Sequence, residues 1–193
     1  MDFLDWHKLT KAESLRSGKL LIAQPFMTDT TFARSVVFLC EHGEQGALGF
    51  VLNQPTTVNI GDLLPELYSP SLNINHGGPV QLDTLHILHR SPETIGGTEI
   101  NRGVYWGGSF DALQTCTADG SLTGSDVRLF VGYSGWSAGQ LEKELAEGSW
   151  LIGDVTHKVM FDTKAEDVWK AAILSLGKEY RHLVNMPLNP GLN

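Results

Sequence analysis

Every apolar run in this chain is short, and most stop at a glycine or proline. The longest, Val36-Val37-Phe38-Leu39-Cys40, is strand-sized, far below the ~20 residues that cross a bilayer as a helix. Glycine supplies 21 of 193 residues, so the runs are joined by tight turns and hairpins. Hydrophobic content of 41% and charged content of 19% exclude a disordered or collagen-like chain. A single core is expected, large enough to need no disulfide or metal staple. The formal net charge of −8 argues against direct nucleic-acid binding and against docking on anionic lipid.

The chain starts Met1-Asp2-Phe3-Leu4-Asp5, without the basic and apolar segments of a secretory signal. Cys40 and Cys116 are the only cysteines. They read as buried thiols in a reducing cytosol, with a redox pair as the alternative. A cytoplasmic protein is expected, with an extension over 1–17 and a single domain over 18–193.

The pattern predicts a short helix and loop over 1–18 and a strand over 19–23. Runs 36–40 and 47–52 form a hairpin around Glu41-His42-Gly43-Glu44-Gln45-Gly46. A helix shortened or kinked by Pro65 covers 60–67, and strands follow at 73–76 and 82–89. Residues 110–116 read as a helix and 127–133 as a central strand. Ser137 with Gln140 suggests a capping box opening a helix over 137–147. Strands are expected at 149–155 and 159–161. A last helix starts at Thr163, with Glu166 completing a second capping box, and stops at Gly177; the tail 185–193 is extended. Hairpins followed by scattered helices predict an α+β fold with a largely antiparallel sheet.

Gly135-Trp136-Ser137-Ala138-Gly139 matches the G-x-S-x-G turn of serine hydrolases. Asp154 or Asp162 with His182 would complete a triad. Against this, Ser137 is already explained as a helix N-cap, and an antiparallel sheet is not the scaffold of that elbow. His86 and His89 stand three apart on a strand and so face opposite sides; no metal site and no cofactor are expected. If the hairpin turn centres on Glu44-Gln45, Val36 lies opposite Asn53, with Arg34 diagonal to it. Arg34 and Asn53 on one face suit an anion or carboxylate partner, or else an internal salt bridge and a loop hydrogen bond. Glu41 and His42 form a second polar spot roughly 20 Å away at ~3.3 Å per residue, either a ligand site or a turn-stabilising pair. Trp136 between glycines is either a stacking platform or a core aromatic.

Phe32-Ala33-Arg34-Ser35-Val36-Val37, Glu41-His42 with Gly46-Ala47-Leu48-Gly49, Asn53-Gln54-Pro55, Gly77-Gly78-Pro79-Val80, Gly132-Tyr133-Ser134-Gly135-Trp136 and Gly139-Gln140-Leu141-Glu142 occur in an order that resembles the bacterial YqgE/AlgH family, the uncharacterised protein family UPF0301. The resemblance covers about residues 18–190. It implies an α+β fold with a bifurcated, barrel-like sheet surrounded by helices. It implies no activity or cofactor, since none is established for the family. One branch is labelled a transcriptional regulator of alginate synthesis, but no DNA-reading element is visible here, so regulation would run through a protein partner. The family does not fix serine at the position of Ser137, which weakens the hydrolase reading. The expectation is a non-enzymatic binding or regulatory protein that takes a small ligand or a protein partner at Arg34, Asn53, Gly77, Gly78, Trp136 and Gln140.

Overall fold

The computed structural model describes residues 14–58, 60–65, 72 and 74–187. The expected helix over 1–18 and the tail beyond 187 therefore fall largely outside the described residues, as do parts of the segments 60–67 and 73–76. The strands are β1 (Lys19–Ala23), β2 (Val36–Gly43), β3 (Gly46–Val51), β4 (Ile74–His76), β5 (Val80–His89), β6 (Thr98–Asn101), β7 (Val104–Trp106), β8 (Val127–Ser137) and β9 (Trp150–Asp154). The helices are α1 (Ile60–Leu63), α2 (Pro92–Ile95), α3 (Phe110–Ala118), α4 (Gln140–Ala146) and α5 (Ala165–Ser175). A 3-10 segment, Lys178–Asn185, follows α5. The sheet order is β6-β7-β5-β8-β3-β2-β1-β9, with β4 parallel to β8 and every other pairing antiparallel. It curls into a half-barrel, which matches the expected α+β, largely antiparallel architecture.

The apolar runs of β1 and β2 are continuous because both faces of these strands are covered. Leu20, Ile22, Val36 and Phe38 face an inner core that α5 closes with Val168, Trp169, Ala172 and Ile173. Leu21, Ala23, Val37 and Leu39 face an outer core under Leu141 and Leu145 of α4. A third cluster sets Ile87 and Leu129 of the sheet against Ile95 of α2 and Leu113 of α3. The indole of Trp169 fixes α5 to the sheet by donating to the Ala23 carbonyl at 2.8 Å.

The hairpin turn centres on Glu44-Gln45 as expected, with Gly43 opposite Gly46, but the register shifts between Leu39 and Glu41. This bulge places Val37 opposite Val51. Asn53 consequently meets the hairpin through its side chain, accepting from the Val36 amide at 2.9 Å and donating to the Arg34 carbonyl at 2.8 Å.

Strand β8 belongs to both halves of the sheet. Its first part pairs with β4 and β5, and its last part with β3. Side chains should alternate along a strand, and up to Val131 they do: Phe130 enters the inner core and Leu129 the third cluster. Gly132 then adopts φ +65, a left-handed conformation open to glycine. Beyond it Tyr133 packs on the inner core and Trp136 enters the outer one, so odd and even positions have exchanged faces. A Cβ on Gly132 would lie 2.8 Å from the carbonyl oxygens of both Gly78 and Val80.

Three local expectations are corrected. Residues 159–161 are not a strand but part of a π-helical turn, Lys158–Asp162. Val159, Met160 and Phe161 all enter the inner core, which an extended segment with alternating sides does not allow. Thr163 does not cap α5: the N-cap is Lys164, without a side-chain cap bond, and the Thr163 hydroxyl donates back to the Lys158 carbonyl at 2.7 Å. Ser137 is not an N-cap either, because β8 runs through it, paired with Gly46.

Asp126 holds the entry to β8. It accepts from the Thr123 amide at 3.0 Å, the Thr123 hydroxyl at 2.9 Å and Arg90 Nε at 3.1 Å. Partial burial opposes its ionisation but is outweighed by these donors, so the carboxyl sits below its ordinary range. Its contribution to stability is complete above the unfolded pKa of about 4 and fades as pH falls toward the lower folded value. Asp126→Ala should cost about 1–2 kcal/mol in urea unfolding at neutral pH, with the two proteins converging in acid. Gly132→Ala should cost more, about 3 kcal/mol, through strain and the two carbonyl contacts.

Candidate functional site

A cleft of about 430 Å³ opens where the loop 24–32 meets the end of β8, α4 and the start of β9. Trp136, Trp150 and Phe32 line it. The two indole rings stand 6.1 Å apart at 78°, and Phe32 stacks on Trp136 at 6.2 Å and meets Trp150 edge-on at 5.5 Å. Trp136 is only 6% exposed, so it is a core aromatic that presents part of its ring to the cleft. Glu144 on α4 joins the three elements. Its Oε2 accepts from both indole N–H groups at 2.9 Å, and its Oε1 accepts from Gln140 at 2.9 Å. Buried indole N–H groups need such an acceptor, and this one also fixes the ring planes.

Gly139, at φ 72, lets the chain pass from β8 into α4 within two residues. Gln140 then accepts from the Ser137 amide at 3.0 Å. This is only half of the expected capping box, with the Gln side chain bonding the Ser backbone and, among the described residues, no bond from the Ser hydroxyl. No hydrogen bond joins Ser137 to Asp154, Asp162 or His182 among the described residues. Asp154 instead accepts from Lys19, and His182 Nδ1 lies 2.7 Å from the Glu179 carbonyl. Nothing in this geometry supports the serine hydrolase alternative.

Gln140 and Trp136 thus share one cleft. Gly77 and Gly78 lie close behind it. A Cβ on Gly77 would stand 2.2 Å from the Gly132 carbonyl oxygen, and one on Gly78 2.3 Å from the Tyr133 carbonyl carbon. The diglycine therefore lets two backbones touch, while the neighbouring Pro79 lines the cleft. Arg34 and Asn53 are placed elsewhere. The Arg34 guanidinium lies over Trp169, 4.6 Å from the ring centroid, and donates to the Met186 carbonyl, on the inner-core side of the sheet. Among the described residues Arg34 is also one of two non-glycine residues with positive φ, at 52, its carbonyl held by the Asn53 side-chain amide.

Glu41 and His42 face different ways. His42 Nε2 contacts Glu142 Oε1 of α4 at 2.7 Å. Glu142 is held below the usual carboxylate range, first by its own backbone amide and then by His42. Glu41 borders a second hollow of about 360 Å³ with Tyr133 and Val80. His86 packs among Phe50, Trp106 and Tyr133, whereas His89 Nε2 lies 3.1 Å from the Gly107 carbonyl, and burial lowers the pKa of both rings. Cys40 is buried and its thiol pKa is raised by that burial; Cys116, expected to be buried, is partly exposed, and both thiols are free. Glu144, Trp150, Phe32 and Asp29 were not anticipated as cleft residues. Only Gln140-Glu144 carried a readable signal, the i, i+4 spacing of one helix face.

Among the described residues, the lining charges are the carboxylates of Asp29 and Glu144, and no lysine, arginine or histidine lines the cleft. Asp29 sits at an exposed turn, where its Oδ1 accepts from the Thr31 amide at 2.8 Å. Aromatic faces, a methionine (Met27) and two carboxylates are the chemistry that receives an organic cation.

A family model described as AlgH-like matches residues 20–181. A UPF0301 protein of Chlorobium limicola is 41% identical over 182 residues, covering 94% of this chain and 97% of that one. A UPF0301 protein of Cytophaga hutchinsonii is 42% identical over 181 residues, covering 93% and 100%. Among solved structures, a Corynebacterium diphtheriae protein shares the fold with a TM-score of 0.80 at 19% identity, over 96% of this chain and 100% of that one. The solution structure of the AlgH protein from Pseudomonas aeruginosa superposes with a TM-score of 0.68 at 34% identity, over 88% and 93%. The chain belongs to the AlgH-like family, UPF0301, for which no specific function is established.

Proposed function

We propose that the protein is a non-enzymatic binding protein whose ligand site is the cleft beside Trp136 and Gln140, and that it receives a cationic group, either of a small molecule or of a protein partner. The observation that supports this is the clasp of Glu144 on two indoles, which holds an aromatic wall rigid next to two carboxylates. The net charge of −8 favours the approach of cations and disfavours direct contact with nucleic acid. A regulatory role through a protein partner uses the same chemistry, a basic side chain entering the cleft. Gly77 and Gly78 serve this reading as backbone supports of the cleft wall, and Arg34 and Asn53 as anchors of the loop that carries Phe32. Two free thiols fit a reducing cytoplasmic setting. Among the described residues no helix is long and apolar enough to cross a membrane.

Titration with arginine methyl ester should shift the indole N–H signals of Trp136 and Trp150 in nitrogen-edited NMR, while acetate should not. Asp29→Asn keeps the turn acceptor and removes one charge. It should leave the fold intact and weaken cation binding about threefold, ~0.6 kcal/mol, at low salt. Unmoved indole signals, or an effect of arginine methyl ester matched by acetate, would contradict the reading.

A further inference from the structure

Arg128 lies near the start of β8 and turns into the inner core, its guanidinium carbon 5.4 Å from the Phe130 ring centroid. Nη1 donates to the Met160 carbonyl at 3.0 Å, and Nη2 donates to Asn75 Oδ1 at 3.0 Å and to the Leu52 carbonyl. All three acceptors are neutral dipoles. No carboxylate pairs with Arg128 among the described residues. Of its five N–H donors, the Nε–H and one Nη1–H have no acceptor among the described residues. Desolvation draws the guanidinium down to about 10, so it remains charged at neutral pH. The residue is half-buried, and a partly desolvated cation without a counter-ion is costly to keep.

The side chain lines a hollow of about 200 Å³ at one end of the half-barrel, between β4, β8, the π-helical turn and the start of α5. Lys164 is exposed and lines it too, and among the described residues no carboxylate lines it. In a chain of net charge −8, that is a local reversal of sign. Ala165, the first residue of the 11-residue α5, borders the same space, and the N-cap Lys164 makes no side-chain cap bond. In that first turn the Asp167 amide donates to the Lys164 carbonyl at 2.9 Å, which leaves the amides of Ala165 and Glu166 at the positive end of the helix dipole. Glu166 and Asp167 occupy the same first turn, but they are exposed and outside the lining.

We propose that this hollow is a binding site for a small oxyanion, a carboxylate or phosphate group, seated between Arg128, Lys164 and the first amides of α5. The guanidinium offers charge-assisted donors, and the space suits a head group. The cleft beside Trp136 lies on the outer-core face of the sheet, so this site stands or falls independently of the cation reading.

The test is nitrogen-edited NMR of the full chain, titrated in parallel with inorganic phosphate and with malonate, each against sodium chloride at matched ionic strength. Saturable shifts at the amides of residues 163–165 and at the Arg128 Nε–H support the site, and the tighter of the two ligands identifies the group as phosphate or carboxylate. Lys164→Glu, at an exposed position, should fold normally and weaken binding about tenfold. Arg128→Lys keeps a charge but loses the fork, and should abolish saturation while the indole signals stay in place. If that variant does not fold, Lys164→Glu decides alone. Shifts reproduced by sodium chloride, shifts that never saturate, or an unchanged affinity in Lys164→Glu would overturn the proposal.

Discussion

The structure depends on one residue adopting a conformation that side chains resist. Gly132, at φ +65, exchanges the two faces of β8 midway along an 11-residue strand. Before it, Arg128 and Phe130 point into the half-barrel; after it, Tyr133 takes that side and Trp136 turns outward to the aromatic cluster under α4. Without the exchange, Trp136 would share a face with Phe130, and the Glu144 clasp would have no indole from β8. The same residue accounts for the diglycine. Gly77 and Gly78 press against Gly132 and Tyr133 at distances no Cβ tolerates, and their contact holds β4 and β5 to the inverted strand.

This arrangement gives the molecule two hollows of opposite chemistry on opposite faces. The outer cleft is walled by aromatics and bears two carboxylates. The inner hollow bears an arginine and a lysine and, among the described residues, no carboxylate. In both, the critical charge is held by hydrogen bonds rather than by an ion pair. Glu144 accepts three N–H groups, and Arg128 donates to three neutral acceptors. Such charges are rigid and only partly compensated, which leaves attraction for a partner of the opposite sign.

Much of the fold is legible in the sequence because local signals agree with the tertiary structure. The runs that become β1 and β2, the Glu44-Gln45 turn and the apolar face of α5 all follow from spacing alone. The exceptions share a cause in long-range packing. The bulge at Cys40 and the inversion at Gly132 are set by neighbouring strands. Val159-Met160-Phe161 has strand-like composition but winds into a turn because all three side chains have one core to fill. The candidate site was partly legible. Trp136 and Gln140 stood out beside their glycines, but Glu144, Trp150 and Phe32 come from three separate elements with no spacing in common. Arg128 was visible only as one charge in the apolar stretch Val127-Arg128-Leu129-Phe130, and its lack of a counter-ion is a property of the folded chain.

The face exchange at Gly132 is tested most directly by nuclear Overhauser contacts of the β8 aromatics in the unmodified protein. The account predicts contacts from the Tyr133 ring to His86, and from the Trp136 ring to Phe32 and Trp150. Contacts from Trp136 to Phe50, Phe130 or Trp169 would mean that the strand keeps ordinary alternation, and would contradict it.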